Sequence, residues 1–280
     1  MIDLIQEFLT TDTASLAAVG VSFGGPVNPI RGLVHLSHHV PGWDNFPLQK
    51  WLQKHLNAPV ALDNDANAAA LGEHRFGAGR HCKDMMYITV STGVGGGLIL
   101  NNQLWRGSDY MAGEIGHTVV DLNGPLCLCG KRGCVERFAS GPYIAERARK
   151  WLMEQPDRGR ILRELVHHDL KMVNAQMVAQ AAEEGDDLAW ESLEIAAHAI
   201  GIGIGNAANM INPERFVLGG GVTKSGKRFW KKIDDTAHQT ALPGIHFEIV
   251  PAKLGDDSPL LGAVALAEDL INSEISDTSE

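Results

Sequence analysis

The chain has 280 residues, 44% of them hydrophobic, which is enough to bury a sizeable core in one large domain or two smaller ones. Lys and Arg total 24 against 34 Asp and Glu, a formal charge of -10 with no basic stripe, which argues against a nucleic-acid backbone as partner. The opening MIDLIQEFLTTDTAS has no basic flank or small-residue cleavage site, and no later segment approaches membrane-spanning length, so the expectation is a soluble, cytoplasmic chain with no membrane partner.

In chain order, LAAVGVSFGGPVN reads as a buried strand running into a turn, and PLQKWLQKHL as a helix from its apolar spacing. APVALDNDANAAALGEHRFGAG then reads as strand, turn and helix, ended by glycine. The strand DMMYITVS enters a glycine-rich turn, TGVGGG, and leaves through LIL. HTVVDL is strand-like, with the turn NGP after it. GPYIAERARKWLMEQ and a long stretch around LAWESLEIAAHAIGIGIGNAANMI read as helices, followed by the strand RFVLGGG, another helix, the strand IHFEIV and a last helix from SPLLGAVALAEDLI. The polar tail NSEISDTSE is expected to fray. Helices and strands alternate and 31 glycines favour loops, so the class is α/β.

Three of four cysteines, Cys127, Cys129 and Cys134, fall within eight residues around the turn CGKRGC. In a reducing compartment such a cluster is more often a metal site than a disulfide framework, and three thiolates leave tetrahedral zinc one ligand short. The nearest upstream imidazole is His117, ten positions before Cys127, and a hairpin through NGP could return the chain to it. The alternative is a reduced, metal-free cysteine turn.

Other motifs are ambiguous singly. STGVGGG, Ser91 to Gly97, allows backbone N–H groups and the Thr92 hydroxyl to meet a phosphate, or is simply a hairpin turn; it matches neither the P-loop nor the dinucleotide fingerprint. DNDAN places Asp63, Asn64, Asp65 and Asn67 where a strand gives way to a helix; one of them serves as N-cap, and a carboxylate there could also be a general base. LGGG, Leu218 to Gly221, suits a ribose or phosphate, or a tight βα turn.

Taken together and in order, VPGWDNFPLQKWL, DNDANAAALGEHRFGAG, STGVGGG, GEIGH, CLCGKRGCVERFASG, NMINPERFVLGGGV and LLGAVALA resemble the ROK family of sugar kinases and sugar-responsive repressors over nearly the whole chain from about Val19, most closely its bacterial glucokinase branch. The resemblance implies an actin-like ATPase (ribonuclease H-like) fold of two domains, here 1–82 with 263–280 as the small one and 83–262 as the large one carrying a zinc knuckle. It implies two α/β domains facing a cleft, and ATP-dependent phosphorylation of a hexose, glucose foremost, at its 6-hydroxyl. Asp65 becomes the catalytic base, and Asn64, Glu114, His117 and Glu136 sugar ligands. Thr92, Gly93, Gly95, Gly219 and Gly220 become the ATP site. His117, Cys127, Cys129 and Cys134 hold a structural zinc that fixes His117 and Glu136, with magnesium accompanying ATP. A homodimer or homotetramer is expected.

Family kinases begin with an Asp-x-Gly-Gly-Thr phosphate loop that this sequence lacks, so the first strands of the small domain are expected to be missing through a start assigned too late, a loss in a non-catalytic paralogue, or a partner chain. The alternatives are a sugar-binding pseudokinase or regulator, and an N-acetylhexosamine kinase. Repressors of the family carry an N-terminal helix-turn-helix domain, for which the sequence before Val19 has no room.

Overall fold

The computed structural model describes residues 5, 7, 16–35 and 42–277. In chain order the elements are β1 (Val19–Phe23), β2 (Val27–Asn28), β3 (Leu33–Val34), α1 (Leu48–Leu56), β4 (Val60–Asn64), α2 (Asp65–Phe76), β5 (Met85–Val90), β6 (Val94–Leu100) and β7 (Gln103–Trp105). There follow α3 (Val135–Ala139), α4 (Gly141–Glu154), α5 (Arg160–Leu165), α6 (Ala175–Glu183), α7 (Asp187–Ile211), β8 (Arg215–Gly219), α8 (Gly226–Thr240), β9 (Glu248–Pro251) and α9 (Ser258–Asp277). They form two compact units, one of Met1–Lys83, Gly97–Gly113 and Ala252–Glu280, the other of Asp84–Gly96 and Glu114–Pro251.

In the first unit β1 pairs parallel with β4, Phe23 opposite Asn64, and β2 pairs antiparallel with β3. Leu48, Leu52 and Leu56 recur every four residues along α1 and pack with Val27, Val34, Val60 and Leu62, so the helical period read from the sequence is the one that buries. Ala68, Ala69 and Ala70 leave α2 thin, and it meets α9 so closely that a Cβ on Gly262 would fall 1.7 Å from the Ala68 carbonyl oxygen. Glu73, with no exposed surface, closes this layer. Its carboxylate accepts the Ser258 hydroxyl at 2.7 Å and the backbone N–H groups of Ala78, Lys253 and Leu254 at 2.7, 3.1 and 2.9 Å. Asn101 and Asn102, both left-handed (φ 55° and 63°), join β6 to β7 in the two-residue turn that suits strand twist.

In the second unit β5, β8 and β9 run parallel, Met85 opposite Arg215 and Arg215 opposite Glu248. The 25-residue α7 is buried along most of its length, and its N-cap Asp186 accepts N–H groups from Ala189 and from Leu162 of α5, both at 3.1 Å.

Several expectations change. All five residues of β1 are half-buried, so it is not a buried strand. No turn separates β4 from α2, because Asn64 ends the strand and caps the helix in one step. Only Ser91 to Gly93 make the glycine-rich turn; Gly95 to Gly97 already lie in β6. HTVVDL is no strand: Ile115–His117 forms a 3-10 turn, and Asp121 Oδ1 accepts the Asn123 N–H at 2.9 Å, an Asx turn that competes with pairing. The return to the cysteines survives as one antiparallel bridge between Val119 and Cys134. LGGG leads into a 3-10 turn, Gly221–Lys224, before α8. IHFEIV is a strand only from Glu248, since Ile245 closes a turn onto the Leu242 carbonyl. Most of NSEISDTSE continues α9 to Asp277, and Thr278–Glu280, like Val40 and Pro41 of VPGWDNFPL, lie outside the described residues. Among the described residues no helix is long and apolar enough to cross a membrane.

Candidate functional site

In the first unit chemistry gathers where β4 meets α2. Asn64 Oδ1 accepts the Ala66 N–H at 2.9 Å, the N-cap bond, while its Nδ2 donates to the Gly25 carbonyl at 3.0 Å. The preceding residue, Asp63, is 1% exposed and fully engaged: Oδ1 accepts the Asn64 N–H at 2.8 Å and Asn67 Nδ2 at 2.9 Å, and Oδ2 accepts Arg106 Nε at 2.6 Å. The four polar residues of DNDAN thus divide their work. One is a cap, two are held in a buried network, and Asp65 alone keeps an exposed side chain.

Asp65 Oδ1 accepts the Ala66 N–H at 2.9 Å. Loss of surrounding water pushes its carboxyl above the usual aspartate value, against the lowering effect of the backbone N–H bonds and of Asn64. A carboxylate that is accessible yet poorly hydrated is a better base than an ordinary aspartate, which suits it to take a proton from a hydroxyl.

The second unit holds the other candidates. Glu136, in the first turn of α3, is half-buried, and its Oε2 accepts the Val94 N–H at 3.0 Å. A Cβ on Gly93 would stand 2.8 Å from that oxygen, so glycine there leaves the carboxylate its place. Glu114 is exposed at the start of the 3-10 turn, its carbonyl accepting the His117 N–H at 3.1 Å. One turn of chain thus carries Glu114 and His117 together.

His117 Nδ1 lies 3.9 Å from Cys127 Sγ, and Cys129 Sγ 3.5 Å from Cys134 Sγ. The ligating atoms of His117, Cys127, Cys129 and Cys134 all fall within 4.8 Å of one another. The Lys131 N–H holds the exposed Cys129 thiol below its ordinary value, whereas burial, then the neighbouring thiols, pushes Cys134 up to about 12. Sulfurs so crowded can lose their protons together only beside a cation, and three sulfurs with one imidazole nitrogen match a closed tetrahedral site. Lys131 Nζ donates to the His117 carbonyl at 2.7 Å and Val120 N–H to the Gly133 carbonyl at 2.8 Å, so the knuckle is braced by one side-chain and one backbone hydrogen bond of its own.

A cavity of about 810 Å³ opens beside the Ser91–Gly93 turn, lined by Ser91, Thr92, Gly141, Arg149, Asn174 and Lys224 among others. Its size suits a nucleotide. Thr92 reaches it; Gly93, Gly95, Gly219 and Gly220 do not line it, and Gly221 does. Gly220 (φ 89°) instead passes so close to β5 that a Cβ would sit 2.4 Å from the Val90 carbonyl oxygen. Arg106, Arg149, Asn174 and Lys224 escaped sequence reasoning: Asn174 carries only the local signal of a helix N-cap, accepting the Met177 N–H at 2.9 Å, and the fold alone brings the other three to their neighbours.

The ROK family model matches residues 1–270. The chain is 38% identical over 262 residues to a glucokinase of Halalkalibacterium halodurans, covering 91% of this chain and 78% of that protein. It is 32% identical to a xylose repressor of Caldicellulosiruptor bescii, covering 90% of this chain and 62% of the repressor. Among solved structures, a ROK family glucokinase from Streptomyces griseus, in complex with glucose and AMPPNP, superposes with a TM-score of 0.82 at 33% identity, over 96% of this chain and 87% of that one. The fold is the actin-like ATPase fold of that structure.

Proposed function

This chain belongs to the ROK family, and we propose that it transfers the γ-phosphoryl group of ATP to the 6-hydroxyl of a hexose, glucose first among candidates, with Asp65 as general base. It is an ATP-dependent sugar kinase. The observation that carries the assignment of roles is Asp65 itself, an exposed carboxylate at a strand-to-helix junction whose proton affinity is raised by lost hydration, while Asp63 and Asn67 are tied to each other in a buried network and Asn64 caps α2.

In this reading Asp65 accepts the proton of the attacking sugar hydroxyl as its oxygen bonds to phosphorus and ADP leaves. Asn64, Glu114, His117 and Glu136 fix neighbouring hydroxyls and so read sugar stereochemistry. His117, which turns Nδ1 to the thiols, has Nε2 for a hydroxyl, and the cysteine knuckle holds that ring and the start of α3 in register. His117, Cys127, Cys129 and Cys134 are the residues that would hold a structural zinc, whose contribution is to fix ligand orientation rather than to act on phosphate. Thr92, the Ser91–Gly93 turn and the adjoining cavity receive ATP, Gly219 and Gly220 shaping the strand end beside it. Magnesium, which would arrive with ATP, would supply charge neutralisation at the transferring phosphoryl group.

A coupled ADP-release assay across glucose, mannose, N-acetylglucosamine and N-acetylmannosamine tests the reading. Turnover greatest with glucose is expected; turnover confined to an N-acetylhexosamine would reassign the substrate. The likeness to a xylose repressor favours one second reading, a sugar-binding regulator. That reading requires hexose binding by calorimetry with no ADP release.

A further inference from the structure

Arg106 belongs to none of the motifs above, yet its Nε makes a 2.6 Å ion pair with a carboxylate that is 1% exposed. Through Asp63 it reaches two further stretches of the first unit at once, since Asp63 also holds the Asn64 N–H at the end of β4 and Asn67 Nδ2 in the first turn of α2. Asp65 stands between those two tied residues. Arg106 is itself braced, its carbonyl accepting the Ala112 N–H at 3.0 Å in a loop that turns at Gly107 (φ 75°).

Stability alone is a poor reason for this arrangement. The Asp63 carboxylate gives up nearly all of its hydration to make this pair, while Arg106, its side chain 31% exposed, gives up less, and an apolar residue at the end of a parallel strand would pack without that cost. The network is also imperfect as a stabilising device, since Asn67 Oδ1 is buried with no hydrogen-bond partner among the described residues. What a short, charge-assisted contact supplies is geometry. Phosphoryl transfer depends on positioning more than on covalent help from the protein, and a displacement of about 1 Å costs on the order of a hundredfold.

We propose that Arg106 is a positioning residue for phosphoryl transfer, acting through the buried Asp63 carboxylate to fix the β4–α2 junction that presents Asp65. The proposal rests on Asp65 being the general base.

The test compares Arg106→Gln, Arg106→Lys, Asp63→Asn, the double variant Arg106→Gln/Asp63→Asn, and Asp65→Asn, all in the full chain. ADP release is followed with glucose and ATP, and kcat is normalised to the folded fraction measured by circular dichroism. Arg106→Gln is expected to lower kcat about 10- to 100-fold, the range seen when a supporting contact behind a site residue is lost, with the glucose KM within about threefold of the parent. Arg106→Lys should recover part of that loss. The double variant, which replaces the ion pair by two neutral amides, should be less impaired than the product of the single losses. If Arg106→Gln does not fold, the lysine and double variants carry the comparison. A folded Arg106→Gln with kcat within about twofold of the parent, a double variant equal to the product of the singles, or a loss fully accounted for by unfolded protein overturns the proposal. Parental turnover in Asp65→Asn overturns the base assignment, and this proposal with it; an inactive Asp65→Asn beside an unimpaired Arg106→Gln overturns the role of Arg106 alone.

Discussion

Glu136 Oε2 accepts the N–H of Val94 at 3.0 Å, so a carboxylate at the start of α3 is bonded to the residue that follows the Thr92–Gly93 turn. A group assigned to the sugar and a turn assigned to the phosphate donor thus share one contact, and Gly93 makes room for it. Gly93→Ala places a methyl 2.8 Å from that oxygen without demanding an unusual φ, so its effect falls on Glu136 rather than on backbone strain. We expect the glucose KM to rise about tenfold, as misplacement of a binding group by a fraction of an ångström implies, while the melting temperature changes little. Steady-state kinetics and a thermal melt check both halves.

The cysteine knuckle yields a second expectation. Metal analysis of purified protein should find about one zinc per chain, the stoichiometry of a single tetrahedral site. Cys127→Ser/Cys129→Ser/Cys134→Ser should lose the zinc and much of the cooperativity of unfolding, and should weaken hexose binding because His117 is assigned to both metal and sugar and Cys134 lies two residues before Glu136. A triple variant that retains parental zinc would show that these sulfurs do not hold it.

How far the sequence reaches depends on how local each feature is. The cysteine cluster was legible because its thiols lie within eight residues and one turn gathers them. The polar cluster Asp63–Asn67 was legible because a strand-to-helix junction needs one cap and offers four polar residues, but only the family resemblance singles out Asp65 among them. Arg106 was not, since its partner lies 43 positions away and no periodicity links them. The nucleotide-sized cavity was equally hidden, its wall being assembled from α4, α6 and the Gly221–Lys224 turn. The hairpin between β6 and β7 carried a local signal, the pair Asn101–Asn102, since asparagine tolerates the left-handed backbone of a two-residue turn. HTVVDL failed for the opposite reason, because apolar alternation suggested a strand where an Asx turn at Asp121 competes for the same backbone.

Glu73 tests whether a conspicuous buried carboxylate is structural. Its two oxygens satisfy four donors drawn from the end of α2 and the chain entering α9, and none of these is a candidate site residue. Glu73→Ala should destabilise the fold by about 3 kcal/mol or more, because three backbone N–H groups and a hydroxyl lose a charged acceptor at once. Urea unfolding gives the measure. Turnover per folded molecule should remain parental, and a folded Glu73→Ala protein with abolished turnover would move this residue into the site.

Asp65→Asn separates chemistry from stability, because the two should change in opposite directions. The amide keeps the side chain's shape but cannot accept the hydroxyl proton, so kcat should fall by about 10²- to 10⁴-fold while calorimetry finds glucose bound nearly as before. For stability the sign follows from the raised carboxyl. Its folded-state value lies above the ordinary 3.8, so ionisation is less favourable in the fold than in the unfolded chain. Stability is then lost as pH rises through about 3.8, and the loss is complete once pH exceeds the folded-state value. The asparagine variant carries no such charge, so it should match the acidic parent at low pH and exceed the parent in melting temperature at neutral pH. For the same reason the acid limb of the parental rate profile should lie above that of an ordinary aspartate, since the base must be unprotonated to act. Melting curves from pH 3 to 8 on both proteins, beside the rate profile of the parent, measure all three. A variant less stable than the parent at neutral pH would show that the Asp65 charge supports the fold, and its raised proton affinity would then no longer argue for a base.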